Sequence, residues 1–102
     1  MLKFQVVRVN FPPTTGREQS VNAGTNFPSN VKNANLALNG FDINYMNGDH
    51  HLYRLKIDCS TNQPIISGTR VDFSVNFLLR DASGNIDDPY QGWVDVLVIA
   101  EL

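Results

Sequence analysis

Two histidines stand side by side at His50 and His51, directly after Gly48 and Asp49. On an extended strand neighbouring side chains point to opposite faces, so this pair can share one metal ion only at a sharp turn. Otherwise it is the polar end of a hairpin. Oxygen-bearing side chains also cluster at Asp81, Ser83, Asn85, Asp87 and Asp88, a composition that calcium loops share. An EF-hand needs Gly at its sixth place and Glu at its twelfth. Here Gly84 stands fourth from Asp81, so a solvated hairpin loop is the expectation, and neither a metal nor any other cofactor is assigned. Tyr90 and Trp93 flank Gly92. Aromatic faces stack on sugar rings, anchor interfaces, or simply pack at a strand edge. Cys59 is the single cysteine, which excludes an intrachain disulfide. It alternates with Leu55 and Ile57, as a small core residue does. No phosphate-cradling Gly loop, G-x-S-x-G elbow, C-x-x-C pair or H-E-x-x-H occurs, and the expectation is a domain that is not an enzyme.

The chain that must position these residues has 102 of them and a formal charge of -2. That length supports one domain with one core. Lys and Arg are scattered, so there is no basic field for nucleic acid. No apolar run reaches the length of a membrane-spanning helix. Met1–Gln5 alternates in polarity and lacks the continuous apolar run of a secretory leader; the compartment is left unassigned. Asn occurs twelve times and tolerates turns and left-handed backbone. It also offers neutral hydrogen-bonding groups of the kind that sugars and subunit contacts use. No Asn-x-Ser/Thr acceptor is present.

The dominant hydrophobic period is two. Leu55, Ile57 and Cys59 share one face of a strand, with Arg54, Lys56 and Asp58 on the other. Val71, Phe73, Val75 and Phe77 alternate with Asp72, Ser74 and Asn76 in the same way. Both read as half-buried antiparallel strands. Leu36 and Leu38 begin another strand, which Phe41, Ile43 and Tyr45 continue in the opposite phase. Gly40 marks the change and predicts a bulge. At the N-terminus Phe4, Val6 and Val9 are expected inside, with Phe11–Gly16 ending the strand. Asn47-Gly48 predicts a hairpin turn; Gln63-Pro64 and Ser67-Gly68 punctuate the next connection. From Trp93 to Leu102 both faces are apolar. Val94, Val96, Val98 and Ala100 form one row, and Trp93, Leu97 and Ile99 the other. The expected architecture is an all-β, antiparallel β-sandwich in a single domain covering residues 1–102.

The order of these segments resembles the H-type lectin domain of snail agglutinins and of the C-terminal part of discoidins, over roughly residues 27–102. The residues that carry the resemblance are Phe27-Pro28 before Val31, and Leu36-Ala37-Leu38 leading to Phe41-Asp42. They continue with Arg54 opening an alternating strand, Gly68 before the Phe73 strand, and the closing Val94, Val96, Val98, Ile99, Ala100. It implies assembly as a trimer or hexamer and a sugar-binding groove. There Arg54 would hydrogen-bond sugar hydroxyls with its planar fork of donors, with Asp81 as the acidic partner. Without a sugar, Arg54 is a surface residue paired with Asp58 or Asp72. The chain departs from the family at two places. Leu78-Leu79-Arg80-Asp81 stands where the family has a stacking aromatic, and Val98 where it tends to have Trp.

Two functions follow as expectations. One is a non-enzymatic carbohydrate-binding module, gaining avidity as a multivalent trimer or hexamer. The other is a phage or viral structural subunit, such as a tail, fibre or decoration protein. Both make the chain its own first partner, through an interface built on Trp93, Leu97 and Ile99. Neither involves nucleic acid or membrane.

Overall fold

The computed structural model describes residues 1–15, 17–46, 52–59, 64–81 and 88–102. They form seven strands: β1 (Leu2–Thr15), β2 (Gln19–Asn26), β3 (Asn33–Tyr45), β4 (Leu52–Asp58), β5 (Ile65–Ser67), β6 (Arg70–Asp81) and β7 (Pro89–Glu101). No helix occurs among the described residues. Two antiparallel sheets result. Sheet A has the order β1-β7-β3, and sheet B the order β2-β6-β4, with β5 pairing β6 beside it. Each sheet is therefore centred on one of the two C-terminal strands, whose side chains are covered from the facing sheet.

The centre of the molecule is the pair of inward rows on β6 and β7. Val71, Val75, Phe77, Tyr90, Val94, Val96, Val98 and Ala100 are completely buried. Their β-branched preponderance suits a pleated surface packed at high density. Across the gap Phe11 of β1 stacks on Phe77 with ring centroids 4.0 Å apart, and Phe77 is tilted against Tyr90 at 5.4 Å. The Tyr90 hydroxyl donates to the Arg17 carbonyl, which satisfies its polar end inside an apolar layer.

Gly40 behaves as the phase change requires: the β3–β7 register shifts between Leu38 and Gly40. Gly68 closes the β5–β6 turn at φ +60, a left-handed backbone that glycine adopts without strain.

Four features differ from the pattern-based expectation. Phe4 and Val6 are 60% and 54% exposed, whereas Val9 and Phe11 are buried. Strand phase puts Phe4 and Val6 opposite in orientation to Val9, so only one set can face the core. Pro12 and Pro13 do not end β1. The strand runs on to Thr15 through a register shift between Phe11 and Thr14, tolerated because β1 is an edge strand. β2, with only Val21 and Ala23 turned partly inward, carries too weak an alternation to stand out. Finally, β3 and β4 lie in different sheets and do not pair with each other; the turn expected at Asn47-Gly48 lies outside the described residues.

The strands are long. Thirteen residues at about 3.4 Å each give roughly 44 Å, and the molecule measures 48 × 18 × 18 Å. Its radius of gyration is 15.5 Å, against about 13 Å for a compact domain of this length. A rod of this kind leaves more apolar surface uncovered than a sphere. Along the β3/β4 side, Leu38, Phe41 and Leu55 occupy inward phases yet are 45%, 46% and 39% exposed.

Burial raises the Tyr90 and Tyr45 phenols and the Cys59 thiol above their ordinary values, with the charges of Asp81 and Asp88 adding to the effect at Tyr45. A folded-state value above the unfolded one gives stability that is intact below the unfolded pKa and declines as pH rises through the folded one. The urea midpoint is therefore expected to hold from neutral pH to about 8.5, then fall as the thiol and, above about 10, the phenols begin to titrate in the unfolded chain. A midpoint constant through that range would remove burial of these groups as a source of stability.

Candidate binding surface

The outward face of sheet A is built in register rows across three strands. Leu2 pairs with Glu101, Phe4 with Ile99, Val6 with Leu97, Arg8 with Asp95 and Asn10 with Trp93. On the other side of β7, Asn35 pairs with Ile99, Ala37 with Leu97, Gly40 with Asp95, Asp42 with Trp93 and Asn44 with Gln91. Paired residues on adjacent strands point to the same side, so these rows form one continuous surface.

The Arg8–Asp95 row divides that surface. The Arg8 guanidinium grips the carboxylate with two hydrogen bonds, Nε to Oδ1 at 2.9 Å and Nη2 to Oδ2 at 3.1 Å. This fork-on-carboxylate geometry is directional as well as attractive. It raises Arg8 and lowers Asp95 from their ordinary values, through the hydrogen bonds first. Toward the chain termini lies an apolar half: Leu2, Phe4 and Val6 beside Leu97 and Ile99, with Ala37 across. The termini themselves are tied together there, Leu102 N donating to the Met1 carbonyl at 2.9 Å. Toward the other end lies a mixed aromatic and polar half centred on Trp93.

Arg8 also lies over the Trp93 ring, 3.8 Å from its centroid, a cation–π contact that fixes the indole. Next to it opens a cleft of about 440 Å³, lined by Asn10, Phe11, Pro12, Pro13, Asp42, Asn44, Gln91, Gly92 and Trp93. Gly92 is part of its lining. A Cβ there would stand 2.0 Å from the Asp42 carbonyl oxygen and 2.9 Å from Ile43 Cα, so only glycine lets β3 approach β7 at this point. Asn44 Nδ2 donates to the Tyr45 carbonyl at 3.1 Å. Asn10, Asp42 and Gln91 have no side-chain hydrogen bond or ion pair among the described residues.

Of the residues singled out from the sequence, Trp93, Leu97 and Ile99 do share the outward row of β7, but the Arg8–Asp95 pair separates Trp93 from the other two. Arg54 and Asp81 are not brought onto one face. Arg54 is exposed on the outward side of sheet B, directly opposite Arg80. Asp81 is buried in the inward phase of β6, where its charge reaches Tyr45. Residues 78–81 are strand, not loop. Lys56, on the Arg54 side, pairs with Glu18 at 2.6 Å; Arg70 pairs with Asp72 at 3.0 Å. His50, His51 and positions 82–87 of the acidic loop lie outside the described residues. No cluster of three metal-binding side chains occurs among the described ones.

Arg8, Asn10, Asp42, Asn44 and Gln91 have no motif to mark them. Their phase is readable from the alternation around them, but their convergence on Trp93 depends on β1 and β3 both pairing β7, strands far apart in sequence. Comparison of the chain with protein-family models, with curated proteins and with solved structures returned no match.

Proposed function

We propose that this domain is a non-enzymatic, lectin-like binding module that assembles with copies of itself, as a trimer or hexamer, and presents several weak glycan sites at once. The observation that supports it most is the apolar half of the outward face of sheet A, where Phe4 and Val6 stand more than half exposed beside Leu97 and Ile99. A lone soluble domain gains nothing from such a row, whereas a partner copy removes it from water. Joining sites in one particle then raises apparent affinity without new contacts at any site.

The elongated shape supports a second reading, a structural subunit of a phage or viral particle such as a tail, fibre or decoration protein. Rods with an apolar flank pack side by side along a common axis. Both readings share the assembly step and part at the glycan.

Light scattering at micromolar concentration is expected to give three or six chains per particle. Leu97→Glu places a charge in the proposed contact and is expected to yield a folded monomer, whereas Phe41→Glu at the β3/β4 side leaves the particle intact. On an immobilised glycan array the wild type binds, and the Leu97→Glu monomer loses on the order of 100-fold in apparent affinity. A wild-type monomer would overturn the assembly. A wild-type oligomer that binds no glycan would leave the structural subunit as the reading.

A further inference from the structure

We propose that the cleft beside Trp93 is a saccharide subsite, in which a pyranose ring lies against the indole and its hydroxyls bond to Asn10, Asp42, Asn44 and Gln91. It rests on the glycan-binding reading above and locates that activity on sheet A, away from Arg54.

The ring is held before any ligand arrives. Arg8 occupies a position over the indole at 3.8 Å and is itself clamped by Asp95. Arg8 does not line the cleft, and Trp93 does, so the indole presents a further surface to it. A fixed aromatic surface loses little freedom on binding and suits the C–H side of a sugar ring, which is apolar.

The rim supplies what the other side of a sugar requires. Each hydroxyl both donates and accepts, so a site needs a mixture of the two. Asp42 offers two carboxylate acceptors. The Asn44 amide already donates to the Tyr45 carbonyl, which leaves its oxygen to accept. The amides of Asn10 and Gln91 can donate as well as accept, and among the described residues neither they nor Asp42 has an internal partner to give up.

The chemistry of the cleft also narrows the ligand class. Among the described residues that line it, the single charged side chain is a carboxylate, which opposes phosphates, nucleotides and acidic sugars. A volume of about 440 Å³ lies within the usual range of small-molecule sites. The site sits across the face of three strands, not along an unpaired edge, so it lacks the backbone ladder by which extended peptides are held. A neutral ligand with one apolar face and a hydroxylated perimeter fits all of these conditions.

Trp93 is the only tryptophan, so its emission reports on the cleft alone. The wild-type oligomer would be titrated with neutral monosaccharides (galactose, N-acetylgalactosamine, glucose, mannose and fucose) while emission and heat are followed together. At least one is expected to shift the emission saturably, with a calorimetric midpoint that agrees. Asp42→Asn and Asn10→Ala, both exposed and outside the core, are expected to weaken binding about tenfold each with melting temperature unchanged. Arg54→Ala is expected to leave it as it is. Binding that leaves the emission unmoved, or that is lost in Arg54→Ala and kept in Asp42→Asn, would overturn the Trp93 subsite while the glycan-binding reading stands. No binding to these sugars or to any glycan on the array would remove both.

Discussion

Phe77→Ala is expected to lower the unfolding free energy by about 3–5 kcal/mol. Phe77 has no exposed surface. It contacts two strands of the facing sheet: stacked on Phe11 of the edge strand β1, 14° from parallel, and tilted at 43° on Tyr90 of β7. Deleting the ring leaves a cavity between two long, fully paired strands that cannot collapse into it, so the transfer cost and the cavity cost add. Total stability for a domain of this size is about 5–15 kcal/mol; the variant should be marginal, with a melting temperature lower by at least about 12 °C. Urea unfolding followed by circular dichroism measures it directly. A loss under about 1 kcal/mol would mean that the sheets do not depend on this aromatic bridge, contrary to the packing described.

The rows that Phe77 belongs to were the most legible part of the sequence. Val71 to Phe77 alternates without interruption, and Val94, Val96, Val98 and Ala100 keep an unbroken apolar row, because strands at the middle of their sheets have their inward phase fully covered. Legibility falls toward the edges. β2 contributes little to the core and leaves almost no hydrophobic trace. On β1 the apolar residues Phe4 and Val6 and the buried residues Val9 and Phe11 occupy opposite phases. Alternation shows that two phases exist and says nothing about which faces the other sheet. That choice is made by pairing with β7, a contact between the two ends of the chain. The same limit governs the surface. The outward row Trp93, Leu97, Ile99 could be read along β7, but its division by Arg8 and Asp95 needs the β1–β7 register, and the cleft needs β3 as well. The resemblance places Arg54 and Asp81 in one groove, but β6 continues to Asp81, and strand alternation turns Asp81 inward while Arg54 stays out.

Gly92→Ala gives the sharpest contrast with general expectation. In a strand interior, replacing glycine by alanine ordinarily gains about 0.5–1 kcal/mol, because the unfolded chain loses freedom. At Gly92 the added Cβ meets backbone: the Asp42 carbonyl oxygen at 2.0 Å, its carbon at 3.0 Å and Ile43 Cα at 2.9 Å. No rotamer relieves such a contact, so β3 must move away from β7 and weaken the ladder on both sides of Ile43. The expected loss is about 3 kcal/mol, the upper part of the range for overpacking. Gly40→Ala is the internal control. It lies on the same strand pair, with no positive φ and nothing within 4 Å of the new Cβ, and should be neutral or slightly stabilising. Comparing the two by urea unfolding separates collision from propensity, since both exchanges are chemically identical. Equal effects at both sites would mean that β3 and β7 are not so close at Gly92. Displacing β3 would also move Asp42 and Asn44 relative to Trp93 and deform the floor between them. Gly92→Ala is thus expected to lose the saccharide response of the Trp93 emission at temperatures where the protein is still folded, and Gly40→Ala to keep it.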